Sequence, residues 1–277
     1  MYEASKYGLT QNEWTNLIST PQVNKKVRNQ VSDMKAKNIE TAQVFSEAVV
    51  IIAFFFLTSY ISITGSELGT EKGNHIIEEI LAAIPAKKHF AGKMLGIFFL
   101  IGLQIFIYIV LGSLAYFSIK QLHYTKILNF IPHMKNLSMT YIIIVAILTI
   151  ISLTLYILLA ACFSSFVSRT EDISQATGSV ASLMLIPYFL SFITQNNPNM
   201  GILKVLSFFP FMSHGIMPVR LAQGAASYTE GYIAIIISLI FTVIMYILTE
   251  KTYAQNIFLY NAKSPIKAAF SYLLKSK

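Results

Sequence analysis

Carboxylate and imidazole side chains are the groups of this chain with the best chance of doing chemistry. Glu78 and Glu79 are adjacent, and paired glutamates in a polytopic protein suggest an intramembrane protease. Such an enzyme needs histidine, asparagine or arginine side chains that hold a metal ion or a water. No histidine lies at metal-ligand spacing from the pair. The histidines are His75, His89, His123, His133 and His214. We therefore predict no catalytic residue, no metal site and no cofactor.

Two further observations limit the chemistry that this chain can perform. Cys162 is the single cysteine and lies inside an apolar run, so it forms no disulfide within the chain and is interpreted as a small core residue. The chain contains no Walker A motif (G-x-x-x-x-G-K-[ST]). If ATP drives this protein, another chain must bind the nucleotide.

The composition is that of a membrane protein. Of the 277 residues, 55% are hydrophobic and 12% are charged, whereas soluble proteins average about 25% charged residues. The net charge of +8 indicates contact with anionic lipid headgroups. The basic residues are scattered among apolar segments, which argues against a nucleic-acid partner. We expect a multi-pass protein of the cell membrane.

Five segments are long and apolar enough to predict membrane-spanning helices, each needing about 20 residues. They are Val44–Thr64, Met94–Ile119, Tyr141–Phe166, Ala176–Thr194 and Tyr232–Thr249. The predicted fold is an all-α polytopic membrane protein. It divides into a polar N-terminal tail (residues 1–43), a transmembrane domain (44–249) and a basic C-terminal tail (250–277). The numbers of basic residues in alternate loops are nearly equal, so charge does not decide the orientation.

A sixth apolar segment, Gly201–Val219, contains Pro210 and Pro218. Two prolines eight residues apart argue against one continuous helix. The segment is predicted to be a re-entrant or interfacial hairpin buried against other helices. An ordinary surface loop is the alternative.

The segment Gly65–Gly92, between the first two spans, contains a short amphipathic pattern. Acidic residues precede the pattern and basic residues follow it, which is the charge order that a helix dipole favours. Such a helix lies on the membrane surface or docks into a groove of another protein. The apolar residues at helical spacing are Ile76, Ile77, Ile80, Leu81 and Ile84.

The stretch Glu71–Gly96 resembles the signature of ABC-2-type transporter permeases, the membrane subunits of ATP-binding-cassette exporters. The sodium-efflux-type permeases are the branch that it resembles most. Two further stretches, Ala161–Phe189 and Leu206–Gly224, are similar to the same branch and follow in the same order. The signature positions are Glu71, Lys72, Glu79, Ile80, Leu81, Pro85, Gly92, Lys93 and Gly96.

The resemblance implies a helical permease that works as a homodimer or heterodimer with separate cytoplasmic ATPase subunits. The amphipathic segment then corresponds to the coupling helix that docks on the ATPase, which places it in the cytoplasm. The broken segment becomes an extracellular re-entrant hairpin, with Pro210, Pro218 and Arg220 as its expected site residues. The expected coupling residues are Glu71, Lys72, Ile76, Ile77, Glu79, Ile80, Leu81, Ile84 and Pro85.

The resemblance, together with one difference between this chain and the family, leads to two hypotheses of function. Complete members of the branch begin with a further spanning helix and an extracellular domain, and the polar N-terminal tail resembles only the end of that domain. The first hypothesis is an exporter permease that moves sodium, a drug or a peptide. The second is a truncated, non-transporting membrane protein acting as a remnant, assembly or immunity factor. A secondary transporter would need an inverted repeat and midplane ionisable residues, and the sequence shows neither.

Overall fold

The computed structural model describes residues 25–121, 137–167 and 169–257, with side chains from residue 41 onward. The chain divides into two compact units, Met1–Asn38 and Ile39–Lys277. The first unit is described only by the helical backbone that begins at Lys25. Most of the predicted N-terminal tail, and residues 258–277 of the predicted C-terminal tail, lie outside the described residues.

Five long helices dominate the described chain, and each is apolar and long enough to cross a membrane. In a bilayer, only structures that satisfy the hydrogen bonds of every backbone group internally are stable, and a helix is such a structure. The predicted all-α polytopic fold is confirmed. The helices are α1 (Lys25–Gly73, apolar from Thr41), α3 (Ala86–Gln121), α4 (Met139–Ser165), α5 (Ile173–Asn196) and α8 (Tyr228–Asn256).

Short elements connect these spans. The amphipathic helix α2 links α1 to α3, and a 3-10 turn precedes α5. Two further short helices stand between α5 and α8. Their bounds are Ile76–Ala83 for α2, Thr170–Asp172 for the 3-10 turn, Gly201–Leu206 for α6 and Ser213–Ala222 for α7.

Helix α4 is the centre of the bundle. It contacts α5, α7 and α8. Leu148 and Leu155 are fully buried on one side of it, and Ile157 is fully buried on the opposite side. This matches its sequence, which is the most uniformly aliphatic of the five spans. The other spans bury one face and leave large apolar side chains exposed, as expected where lipid chains solvate them.

The predicted spans Val44–Thr64 and Met94–Ile119 are too short at the ends that flank the segment Gly65–Gly92. Helix α1 continues to Gly73 and α3 begins at Ala86, so most of this segment is helical. Apolar content locates only the part of a helix inside the hydrocarbon. Polar turns that extend a span beyond the hydrocarbon need tertiary contacts to reveal them.

The broken segment forms a helical hairpin. Helix α6 and helix α7 are separated by a turn that contains Pro210, and every residue of α7 is buried. The burial of α7 agrees with the prediction of a segment packed against other helices, whereas four of the six residues of α6 are exposed. Pro218, however, lies inside α7 and does not interrupt it, so the break is at Pro210.

Arg220 binds this hairpin to the neighbouring helices by hydrogen bonds and an ion pair. Its guanidinium donates to the Pro198 carbonyl at 3.2 Å, the Ser207 hydroxyl at 2.7 Å and the Ala225 carbonyl at 3.0 Å. Nη2 also lies 3.6 Å from Oε2 of Glu230 in the first turn of α8. A fully buried cation needs this many acceptors to offset its lost hydration. Arg220 therefore joins the end of α5, the turn of the hairpin and the start of α8.

A close approach of α7 to α5 gives a stability prediction. A methyl group on Gly215 would lie 2.5 Å from the Pro187 carbonyl oxygen. We expect Gly215→Ala to push the two helices apart and to lower the free energy of unfolding by about 2 kcal/mol. Thermal denaturation of the purified protein in detergent measures this loss.

Gly178→Ala is the matched control, because a methyl group there meets nothing within 4 Å. This variant should show no loss of stability, since alanine is at least as good a helix former as glycine. Equal losses from both substitutions would contradict a role for the close contact.

Candidate functional site

One end of the bundle collects ionised and hydrogen-bonding side chains, and we call it the charged end. Here α1, α4 and α8 end and α3 begins, and α2 crosses between α1 and α3. The chain thus brings several helix termini and the predicted coupling segment to one place.

Lys72 is the central side chain of the charged end. It is fully buried, and its Nζ donates to the carbonyl oxygens of Ser165 and Asn256, both at 2.7 Å. These two residues are the last of α4 and α8, and Lys72 itself lies in the last turn of α1. Carbonyls at a helix C-terminus lack partners within the helix and carry partial negative charge. One ammonium group therefore binds the ends of three helices together.

A second network surrounds this lysine. Nζ of Lys93 lies 2.9 Å from Glu67 Oε2 and 2.6 Å from Glu71 Oε1. Nε2 of His89 lies 3.4 Å from Glu71 Oε2, and its Nδ1 lies 2.8 Å from the hydroxyl of Tyr253. The network ties α3 to α1 and to α8, so α3 is held by charge pairs as well as by packing.

The sequence contained a signal for this network. Glu67 and Glu71 are four residues apart on α1, as are His89 and Lys93 on α3, so each pair shares one helix face. The predicted spans Val44–Thr64 and Met94–Ile119 leave all four residues outside the helices, so the pattern was missed. A helical interpretation of Gly65–Gly73 and Ala86–Gly92 would have predicted opposed acidic and basic faces.

Helix α2 presents two different faces. Ile77 is fully buried, and Leu81, one turn later, packs partly buried against the core of the bundle. Ile76 and Ile84, in contrast, are 46% and 39% exposed, and Ile80 is half-buried. The residues predicted to form one apolar stripe therefore differ in accessibility: some pack on the core and others are exposed.

The connection from α1 into α2 passes through His75. This residue has φ 62°, in the left-handed region, which non-glycine residues adopt at a cost. Its Nδ1 lies 3.0 Å from Glu78 Oε1 in the first turn of α2. The sharp change of direction at His75 places Ile77 against the core immediately after Lys72.

The predicted coupling residues all lie at the charged end but differ in accessibility. Two of them, Lys72 and Ile77, are buried. Three are partly buried, namely Glu71, Ile80 and Leu81. The other four are exposed, namely Ile76, Glu79, Ile84 and Pro85. Of the predicted hairpin residues, Arg220 lies at the first turn of α8. The Pro218 carbonyl accepts from Tyr141 near the start of α4, whereas the Pro210 carbonyl lies 3.5 Å from Ser152 Oγ in the middle of α4. The structure therefore places the two predicted groups far apart.

An open groove of about 510 Å³ lies beside α2 at the charged end. Lys88 and Glu67 are among its lining residues, and most of its surface is apolar. Gly92 and Gly96 leave the groove wide because they bear no side chain. The remaining lining residues are Ile84, His89, Lys93, Ile97, Phe99 and Leu100.

Comparison with known proteins gives a family match and two relatives. Residues 3–249 match the family described as ABC-2 family transporter protein. The chain is 27% identical over 221 residues to the uncharacterized protein YhaP of Bacillus subtilis, covering 79% of this chain and 52% of YhaP. It is 24% identical over 234 residues to the uncharacterized protein MJ1024 of Methanocaldococcus jannaschii, covering 84% of this chain and 55% of MJ1024. The chain thus spans about half the length of these relatives. No solved structure matches it.

The role of Lys72 leads to a second stability prediction. Lys72→Met keeps an apolar chain of similar length but leaves the Ser165 and Asn256 carbonyls without their ammonium donor. We expect a loss of about 3 kcal/mol of folding free energy, measured by thermal denaturation in detergent. Lys88→Met, at an exposed lysine of the same end, should leave the midpoint unchanged. If both variants melt alike, the helix ends do not depend on Lys72.

Proposed function

Because the chain belongs to the ABC-2 family of transporter proteins, we propose that it is the membrane permease subunit of an ATP-driven exporter. ABC-2 permeases are the membrane component of a complex with a cytoplasmic ATPase. The observation that carries the proposal is the geometry of α2. One side of this helix is open to a partner, and the other side is packed on the bundle next to the joined ends of three helices.

The proposed docking surface consists of Ile76, Glu79, Ile84 and Pro85. These side chains are exposed at the charged end and combine apolar contact with one negative charge. An exposed apolar patch with a polar edge is typical of a surface that another protein covers. We infer that the ATPase binds here.

Ile77 and Lys72 are proposed to pass the motion of α2 into the membrane. Neither can contact a partner, because both are fully buried. They connect α2 to the core and to the ends of α4 and α8 instead. A displacement of α2 by the ATPase would shift the packing of these spans between two arrangements, as alternating access requires. Lys72 is thus assigned a positioning role in place of the direct contact expected from sequence.

We also infer the orientation of the chain in the membrane and its assembly with a second permease. The charged end and α2 lie in the cytoplasm, and the hairpin of α6 and α7 lies on the outer side of the cell membrane. The permease pairs with a second permease, identical or different. The resemblance to sodium-efflux-type permeases supports sodium, a drug or a peptide as the exported substrate.

Co-purification tests the docking surface. We expect a tagged chain to bind a soluble ATPase bearing a Walker A motif when the two are produced together. Ile76→Asp combined with Ile84→Asp should reduce the bound ATPase at least tenfold, because it places two charges in an apolar contact. Both side chains are exposed, so membrane insertion and the melting temperature should be unchanged.

Met200→Asp is the control for an added charge on an exposed apolar residue. Met200 is 52% exposed and immediately precedes α6, on the side assigned to the exterior. This variant should bind the ATPase normally. Full binding by the α2 double variant would refute the docking surface.

A further inference from the structure

A chain of hydrogen bonds links two spanning helices away from the charged end. The hydroxyl of Tyr60, on α1, donates to Oε1 of Gln104 on α3 at 2.6 Å. Nε2 of Gln104 in turn donates to the hydroxyl of Tyr108 on the next turn of α3. The Tyr108 ring contacts the ring of Phe56 edge-on, with centroids 6.4 Å apart. We call these four residues the mid-membrane patch.

The spacing along both helices places this patch near the middle of the bilayer. Gln104 lies eleven residues beyond Lys93, which is about 16 Å at 1.5 Å per residue. Tyr60 lies twelve residues before Lys72, or about 18 Å by the same rise. The hydrocarbon core is about 30 Å thick. If the charged residues mark one surface, the patch is about halfway across.

The patch lies where one face of α3 emerges from the core. Met94, Ile97 and Ile101 share a face of the helix and are all buried. Gln104 continues this face and is half-buried, and Tyr108 continues it further and is 53% exposed. The face that packs in the core near the charged end is therefore open from the bilayer middle outward, within the described part of the chain.

Hydrogen-bond donors at this face remain available. Because Gln104 donates to the Tyr108 oxygen, the hydroxyl hydrogen of Tyr108 is directed elsewhere, and the described residues provide no acceptor for it. The second amide hydrogen of Gln104 likewise has no acceptor among the described residues. Polar groups in contact with lipid hydrocarbon and without partners are costly, at about 1–3 kcal/mol or more each. Such groups in membrane helices face protein or a water-filled space.

We propose that the mid-membrane patch lines the water-accessible path of the exporter and holds the transported molecule there by hydrogen bonds. This inference rests on the proposed function and specifies the substrate class. The patch offers O–H and N–H donors beside the aromatic rings of Phe56, Tyr60 and Tyr108. It contains no ionised side chain. The complementary ligand is a neutral molecule with a carbonyl or ether acceptor between apolar groups. Sodium ion is therefore not the substrate that the mid-membrane patch binds.

Cysteine labelling tests whether water reaches the patch. Tyr108→Cys and Ile109→Cys are each placed in a Cys162→Ala background and treated in membranes with a charged maleimide. Ile109 is 65% exposed at the same depth but lies on another face of α3. A thiol in hydrocarbon stays protonated and unreactive, so Tyr108→Cys should react at least about tenfold faster than Ile109→Cys.

Two additions to the same assay test the ligand class. Tyr108→Cys removes one donor of the patch but leaves both amide hydrogens of Gln104 free. Benzophenone, a neutral ketone with two apolar rings, should therefore still slow the labelling of this cysteine as its concentration rises. Replacing choline by sodium in the buffer should leave the rate unchanged. Protection by sodium and not by benzophenone would overturn the assigned substrate class.

Three outcomes would overturn the proposal, either at the location or at the binding of the ligand. Equal rates at positions 108 and 109 would mean that the patch faces lipid. A disulfide between two chains through Tyr108→Cys would mean that a second copy covers it. Rapid labelling at position 108 without any effect of benzophenone would leave a water-filled space that does not bind the ligand. The assay needs no ATPase, so its failure is separate from failure of the docking surface on α2.

Discussion

The bond between the Lys72 ammonium and the helix-terminal carbonyls is the interaction on which the rest of the bundle depends. In a bilayer, apolar side chains gain little by contacting one another, since lipid chains solvate them equally well. What orders the helices is close packing and the satisfaction of polar groups that lipid cannot satisfy. Lys72 does this at the point where α1, α4 and α8 end, and the pairs formed by Lys93 and His89 extend it to α3.

Arg220 has a corresponding role at the first turn of α8. It is also a buried cation that donates chiefly to backbone carbonyls, in this case those of Pro198 and Ala225. The two ends of the bundle are thus each organised by one basic residue bound to helix ends and turns. Between them α4 packs through apolar contacts on several sides.

This arrangement explains why a short surface helix can matter to the membrane domain. The turn at His75 connects α2 to the residue that binds three helix ends, with Ile77 anchored in the core beyond it. Under the proposed function, a displacement of α2 by the ATPase would therefore act on several spans at once. The mid-membrane patch lies about 16 Å beyond Lys93 along α3, and α3 follows α2 in the chain. The proposed docking surface and the proposed ligand site are joined by one continuous segment of chain.

The amino-acid sequence alone determined the class of protein, the number of spans, the broken hairpin and the position of the amphipathic helix. These depend on local properties, namely apolar runs of about 20 residues, proline spacing and helical periodicity. The tertiary structure decided which residues of that helix are accessible and where the helices end. Lys72 shows the reason: a lysine beside a polar turn has the pattern of a surface residue. Only the convergence of Ser165 and Asn256, far along the chain, buries it.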